Sequence, residues 1–242
     1  MLLEGRRVIV TGASRGIGRA IALACAQEGA KVGLNYLKSH ESAKALADTN
    51  PDQFHLLPFD VSDAASATEA IDRFGQEWGG IDALVNNAGI FFGAIFVRAP
   101  LDETARIVAV NLLGPLICSK AVLPFMIKAR AGSIVNISSV AAVNPIQGQA
   151  VYAATKGALE ALTRSLAVEY RSRNVRVVAV RPGPVATDML AQTHASTWEY
   201  DSGEPGVATS EDIGQLVLDV LCCSDEYPSG AIIGHGAGKC GP

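Results

Sequence analysis

The chain has 242 residues, a formal net charge of −4, 49% hydrophobic residues and 18% charged residues. That apolar share excludes a disordered chain, and the length suits one domain with a full core. With no basic stripe to meet phosphate backbones, the composition speaks against nucleic-acid binding.

In chain order, Arg7–Val10 reads as a short apolar strand and Gly16–Glu28 as a helix. Lys31–Tyr36 is strand-like, Glu41–Thr49 helical, and Phe54–Phe59 a third strand. Asp63–Trp78 is amphipathic, with Ile71 and Phe74 on one face, and Ala83–Asn86 is a fourth strand. Glu103–Ala129 reads as one long helix disturbed by Pro115 and Pro124, followed by a strand at Ser133–Ile137. A helix over Tyr152–Tyr170, a strand at Val175–Val180, a helix over Asp212–Cys222 and a strand at Ala231–Ile233 complete the series. Strands alternating with helices predict βαβ units and a parallel sheet. The strands are continuous apolar runs, as expected of a sheet covered on both faces. The expectation is one doubly wound α/β domain over residues 1–242, with about seven strands and a ligand cleft at the strands' carboxyl ends. His194–Ala208 is polar, holds Gly203, Pro205 and Gly206, and lacks a period. Such a segment predicts a mobile substrate lid, placed over residues 188–209.

The cysteines, Cys25, Cys118, Cys222, Cys223 and Cys240, are odd in number and scattered. They read as small apolar residues in a reducing compartment, not as a disulfide framework or a metal site. Met1–Arg7 lacks the apolar stretch of a signal peptide, and no run is read as a bilayer span. The expectation is a soluble, cytoplasmic protein with no metal.

The first strand runs into Thr11-Gly12-Ala13-Ser14-Arg15-Gly16-Ile17-Gly18. Gly12 suits a tight turn, Gly16 lets the backbone approach a pyrophosphate, and Gly18 lets helix and strand pack closely. The helix that follows offers free N–H groups and a positive dipole end to phosphates. An NAD site places a carboxylate after the second strand for the ribose 2′-hydroxyl. Here Asn35-Tyr36-Leu37-Lys38-Ser39 holds none, and Arg15 lies in the glycine turn. A cation without a competing carboxylate favours the 2′-phosphate of NADP(H) over NAD(H).

Tyr152 and Lys156 stand four residues apart in a helical segment, so phenol and ammonium share a face. An ammonium at ~4 Å and an effective dielectric of ~20 contributes about 4 kcal/mol. That would lower the phenol by roughly three pKa units, before burial opposes it, and make Tyr152 a general acid near neutrality. Ser138-Ser139 ends the fifth strand, where a hydroxyl can hold a carbonyl oxygen. Asn86-Asn87-Ala88-Gly89 ends the fourth and can line a cofactor groove. Asn111 is a polar residue within an apolar helical segment. Pro182-Gly183 follows the sixth strand, and Thr187 comes soon after.

Together, TGASRGIG (Thr11–Gly18), Asp60-Val61, NNAG (Asn86–Gly89), Asn111, Ser139, YxxxK (Tyr152, Lys156) and RPGPVATDM (Arg181–Met189) resemble the short-chain dehydrogenase/reductase family in its single-domain branch. Ser139 precedes Tyr152 by 13 residues, as that family's pattern requires. The resemblance implies a Rossmann-type fold and an NADP(H)-dependent oxidoreductase acting between a ketone and a secondary alcohol. It implies that Tyr152 donates the proton, Lys156 binds the nicotinamide ribose and lowers the Tyr152 pKa, and Ser139 positions the carbonyl. Asn111 would hold a water in a proton relay to Lys156. Asp60 and Val61 would meet the adenine, Asn87, Ala88 and Gly89 the adenosine ribose side, and Val185 and Thr187 the carboxamide. Gly12, Ser14, Arg15, Gly16, Ile17, Gly18, Tyr36, Pro182 and Gly183 would complete the cofactor groove.

The sequence is similar to 3-oxoacyl-[acyl-carrier-protein] reductases and to sugar or polyol dehydrogenases of the same branch. Arg130 and Arg173 align with the basic residues by which the former dock an acidic carrier protein; the alternative is ordinary solvated arginines. The tail from Ile232 to Cys240 departs from that branch's V-x-G-G-like ending. Phe91, Phe92, Val143, Ile146, Met189 and Trp198 make the expected substrate pocket apolar, suited to an acyl chain or aromatic ketone, while Gln147 and Gln149 could serve hydroxyls. A homodimer or homotetramer is expected through the two long helices. A non-catalytic NADP-binding regulator on the same fold is the alternative outside enzymology.

Overall fold

The computed structural model describes residues 1–190 and 207–235. Most of the expected lid, including Trp198, and the tail beyond His235 lie outside the described residues.

Seven parallel strands form one sheet in the order β3-β2-β1-β4-β5-β6-β7. They are β1 (Arg7–Val10), β2 (Lys31–Tyr36), β3 (Phe54–Pro58), β4 (Ala83–Asn86), β5 (Gly132–Ile137), β6 (Val175–Pro182) and β7 (Ile232–His235). The helices are α1 (Gly16–Gln27), α2 (His40–Ala47), α3 (Ala64–Glu77), α4 (Leu101–Val108), α5 (Gly114–Ala129), α6 (Ala150–Glu169) and α7 (Ser210–Cys222).

Alternation along each strand divides the core in two. Val8 and Val10 of β1 join Val32, Leu34, Val135 and Val178 beneath α1 and α7. Ile9, between them, joins Leu84, Ile134 and Val177 on the opposite face, against Ile71, Phe74 and Met126. Local chemistry ends the helices where it should. The Asp63 side chain accepts from Ala65 N and Ser66 N to cap α3, and Thr209 and Asp212 form a reciprocal box at the start of α7. Arg176 of β6 donates to the carbonyls of Val220 and Leu221 at the other end of α7.

One expectation is corrected here. Glu103–Ala129 does lie in one continuous helical run, Leu101–Ala129, but the prolines are not what disturbs it. Pro115 sits in the first turn of α5 and Pro124 lies within it, while the irregularity is a π-helical turn at Ala109–Leu113. A second correction concerns the bilayer: Leu101–Ala129 is long and apolar enough to cross a membrane by length and composition, an 18-residue window within it having mean hydropathy 1.7. Half of that window is buried in the domain, and Cys118, Val122 and Met126 of α5 contribute to the core beneath α3.

The chain leaves β1 toward β2 and β3, then returns to place β4 on β1's other side. That reversal opens a crevice at the carboxyl ends of β1 and β4.

The α3–α5 contact leaves no spare volume at Gly75, where an added Cβ would lie 2.5 Å from the Phe125 ring. Gly75→Ala should therefore destabilise the protein by about 1–3 kcal/mol in urea unfolding, despite alanine's better helix propensity.

Candidate active site

The loops after β1 and β4 are locked together. Thr11 Oγ1 accepts from the N–H groups of Asn87 and Ala88, both at 2.9 Å. Asn87 Nδ2 returns bonds to the carbonyls of Thr11 (2.9 Å) and Gly12 (3.2 Å). Asn35 Oδ1 accepts from Gly12 N at 3.1 Å, while its Nδ2 donates to the Leu57 and Phe59 carbonyls. Gly12 has φ +64°, and a Cβ there would lie 3.0 Å from the Ala88 Cα. A Cβ on Gly18 would lie 2.2 Å from the Gly12 carbonyl oxygen. The cradle thus tolerates only glycine at both positions. No acidic residue occupies the first turn of α1 and no side chain caps it, so its N–H groups face the cleft free for an anion. Thr11 and Asn35 lie within the segments quoted from the sequence, but that reading gave neither of them a role. Asn35, a poor strand former inside β2, was the available signal.

The cleft encloses about 1220 Å³ and is lined by Gly12, Ser14, Arg15, Gly16, Ile17, Gly18, Tyr36, Asp60, Val61, Asn87, Ala88, Gly89, Pro182, Gly183, Val185 and Thr187, every expected cofactor position. At its outer end the Tyr36 hydroxyl pairs with His40 Nδ1 at 2.8 Å. Asp60 Oδ1 accepts from the N–H and hydroxyl of Ser62, at 2.9 and 2.7 Å. Arg15 bridges to Asp188 at 2.9 Å, an exposed pair that spans the groove. Gly183 N donates to the His235 carbonyl at 2.7 Å, so β7 anchors this rim.

Ser139, Tyr152 and Lys156 meet at the inner end of the same cleft. Lys156 is 5% exposed, and its Nζ donates to the Ile137 carbonyl at 2.7 Å. Burial pushes its pKa down to about 8. Nζ lies 5.7 Å from the centre of the Tyr152 ring, which meets Phe91 edge-on at 5.3 Å. Burial raises the Tyr152 phenol above its ordinary value, and the Ser139 hydroxyl opposes this only in part. The expectation that Lys156 pulls the phenol down is therefore corrected for the polypeptide alone: desolvation wins, with the ammonium held on Ile137. Ser139 Oγ accepts from Ala141 N at 3.2 Å, and its hydroxyl hydrogen-bonds the Tyr152 phenol. Ser138 also borders the cleft, but it is 3% exposed and its hydroxyl donates to Glu160.

Asn111 sits in the π turn. Its Oδ1 accepts from Ile90 N at 2.8 Å and its Nδ2 donates to the Ile90 carbonyl at 2.9 Å. The side chain therefore holds the loop after β4. A Cβ built on Gly89 would lie 3.4 Å from Asn111 Oδ1 and 3.8 Å from Lys156 Nζ, so the three residues are close neighbours.

Beyond Tyr152 the cleft wall is Ile90, Phe91, Val140, Ile146, Met189 and Leu190, with Asn144 and Gln149 as polar members. Phe92, Val143 and Gln147 of the expected pocket are exposed and line no part of this cleft. Ala94 N donates to the Gly148 carbonyl at 3.1 Å, tying the two substrate-side loops together. Arg130 and Arg173 are brought near each other, with Arg130 Nη2 donating to the Ser172 carbonyl at 3.2 Å. They stand at the amino ends of β5 and β6, the far end of the sheet from the cleft.

With this geometry in place, the chain was compared with known proteins. The sequence model for the short chain dehydrogenase family matches residues 6–198. The 3-oxoacyl-[acyl-carrier-protein] reductase FabG of Thermotoga maritima is 35% identical, over 98% of this chain and 99% of that relative. The FabG of Vibrio cholerae is 41% identical over 78% of this chain and 77% of its own. Among solved structures, levodione reductase superposes with TM-score 0.88 at 29% identity, covering 97% of both chains. A short chain dehydrogenase from Burkholderia cenocepacia, solved in complex with NADP, superposes with TM-score 0.85 at 30% identity, again covering 97% of both.

The buried Lys156 has a measurable signature. Its folded pKa lies below the ordinary lysine value, so the native state carries the cost of a buried charge below about pH 8. Between there and the ordinary value the unfolded chain binds more protons, and stability rises with pH. Lys156→Met should unfold with a stability advantage over the wild type at pH 7 that shrinks by about 2 kcal/mol at pH 9.5. Denaturant titrations of both proteins at the two pH values read this directly.

Proposed function

The chain belongs to the short chain dehydrogenase family, and from that premise we propose an NADP(H)-dependent oxidoreductase that reduces a ketone, with a 3-oxoacyl thioester as the favoured substrate class. The observation that carries this reading is the meeting of Ser139, Tyr152 and Lys156 in one cleft with the glycine cradle. The cradle fits a dinucleotide: Gly12 and Gly18 admit no Cβ, its helix N-terminus is open to phosphate, and no carboxylate stands between the end of β2 and Glu41. Bound there, the nicotinamide supplies the hydride. The chain's own residues orient the ketone and deliver the proton. Ser139 donates to the carbonyl oxygen. Tyr152, protonated at neutral pH as an ordinary phenol is, stands ready to give that proton; burial raises its pKa, so donation needs the charge of Lys156 beside it. Lys156, charged below about pH 8, lies beside it to stabilise the phenolate left behind. With the Asn111 amide engaged by Ile90, its main-chain carbonyl in the π turn is the group left to hold the relay water.

Arg15 would hold the 2′-phosphate after leaving Asp188. The apolar wall around Phe91, Ile146 and Met189 suits an acyl or ring ketone over a free sugar, which leaves the sugar and polyol dehydrogenases as the weaker alternative. Exposed Leu101, Val108, Leu113 and Leu116 on α4, the π turn and α5, with Val168 on α6, support self-assembly as a homodimer or homotetramer. Because Arg130 and Arg173 stand at the far end of the sheet, an acyl carrier docked on them would serve the cleft of another copy. Four free cysteines among the described residues fit a reducing cytoplasm.

The first experiment is oxidation of NADPH and NADH with acetoacetyl thioester. Turnover with NADPH far above NADH is expected; NADPH binding without turnover on this or other ketones would replace the enzyme reading with a regulatory one. Tyr152→Phe should lower kcat by about 10²–10⁴-fold without changing the fold. Arg15→Gln should raise the NADPH KM roughly tenfold or more while leaving the NADH KM nearly unchanged.

A further inference from the structure

One turn beyond Lys156, α6 carries Glu160, a carboxylate only 4% exposed. A buried carboxylate is costly unless it is paired and fully hydrogen-bonded. Glu160 meets that demand through two other elements. Its Oε1 accepts from Ser138 Oγ at 2.9 Å and from Arg181 Nε at 2.8 Å, and its Oε2 accepts from Arg181 Nη2 at 2.8 Å. The guanidinium thus grips the carboxylate with two parallel bonds, the arrangement with the strongest orientational demand.

Each member of this cluster adjoins a working part of the cleft. Ser138 immediately precedes Ser139. Arg181 immediately precedes Pro182-Gly183 on the cofactor rim. Glu160 follows Lys156 by one helical turn. The contacts close on one another: Ser138 N donates to the Val180 carbonyl at 2.7 Å, Ser138 Oγ lies 3.4 Å from the Lys156 carbonyl, and Lys156 Nζ holds the Ile137 carbonyl at 2.7 Å.

We propose that Glu160, acting through Ser138 and Arg181, is a positioning residue that sets the spacing of Ser139, the Tyr152–Lys156 helix and the Pro182-Gly183 rim. It touches neither substrate nor cofactor. Attachment of α6 to the sheet does not require it, because Asn136 Nδ2 donates to Thr163 Oγ1 at 2.9 Å one turn further on, and Leu159 and Ala167 are buried beside it. Buried ion pairs replaced by apolar residues of similar volume are often neutral or stabilising, so holding the helix is a poor reason for this one. Orientation is the better one: displacements on the order of 1 Å in such a site cost turnover far more than stability.

This inference rests on the reductase reading, and the test separates the two. Wild-type kcat and KM are measured with NADPH and acetoacetyl thioester, beside thermal unfolding, for a variant carrying both Glu160→Met and Arg181→Met. The swap removes both charges together, so neither is left buried alone. The expected result is a midpoint near that of the wild type, kcat lower by roughly tenfold or more, and a thioester KM changed less than about twofold. Ser138→Ala, which leaves the ion pair in place, should lower kcat by about threefold with the same midpoint, and covers the case in which the double variant does not fold. A wild type with no turnover removes the reductase reading and this inference with it. An active wild type whose Ser138→Ala or folded double variant keeps full kcat overturns the positioning role alone.

Discussion

Everything in the cleft depends on the interlock between the glycine turn and the loop after β4. Thr11 receives two backbone N–H groups from that loop, and Asn87 returns two bonds to the turn. The bonds are buried or half-buried, where an unmet polar group would cost about 1–3 kcal/mol. They form because the sheet places β1 beside β4, so two segments some 75 residues apart run out of the sheet in parallel. The glycines are a consequence: with the loops this close, a Cβ on Gly12 or Gly18 has nowhere to go.

Electrostatics at the inner end of the cleft follow from the same closeness. An ammonium four residues from a phenol can lower it strongly if the two meet in a medium of intermediate dielectric. Here the ammonium donates to the Ile137 carbonyl, and burial acts on both groups. It raises the phenol and depresses the lysine, because each is driven toward its neutral form. The protein thereby keeps a protonated tyrosine beside a lysine that titrates near 8. The raised phenol holds its proton more tightly than a free tyrosine, so its release depends on the nearby ammonium stabilising the phenolate.

Much of the fold was legible because its signals are local. The strand bounds of β1, β2 and β4 match the apolar runs that mark them, and the remaining elements differ by a residue or two at their ends. The long segment over Glu103–Ala129 shows the limit. Pro115 and Pro124 draw attention as breakers, yet the distortion centres on Asn111, whose amide bonds Ile90, 21 residues away. Nothing within the segment announces that partner. Likewise Ser138 and Ser139 are indistinguishable by type, and only their surroundings separate them. Both border the cleft, but the Ser138 hydroxyl is taken by Glu160 on α6 while that of Ser139 meets Tyr152.

By itself the sequence determined the βαβ alternation, a glycine spacing suited to a phosphate-binding turn, the lack of a carboxylate between β2 and Glu41, and the shared helix face of Tyr152 and Lys156. All of these are properties of residues near one another in the chain, where backbone period and side-chain type are enough. Tertiary structure alone decided what Asn35, Thr11, Asn111 and Glu160 do, which serine serves the cleft, and which way the Tyr152 and Lys156 protons lean. It also set Arg130 and Arg173 at the end of the sheet away from the cleft. Those outcomes turn on hydrogen-bond partners and desolvation supplied by other strands and helices, and neither exists until the sheet has closed over its core.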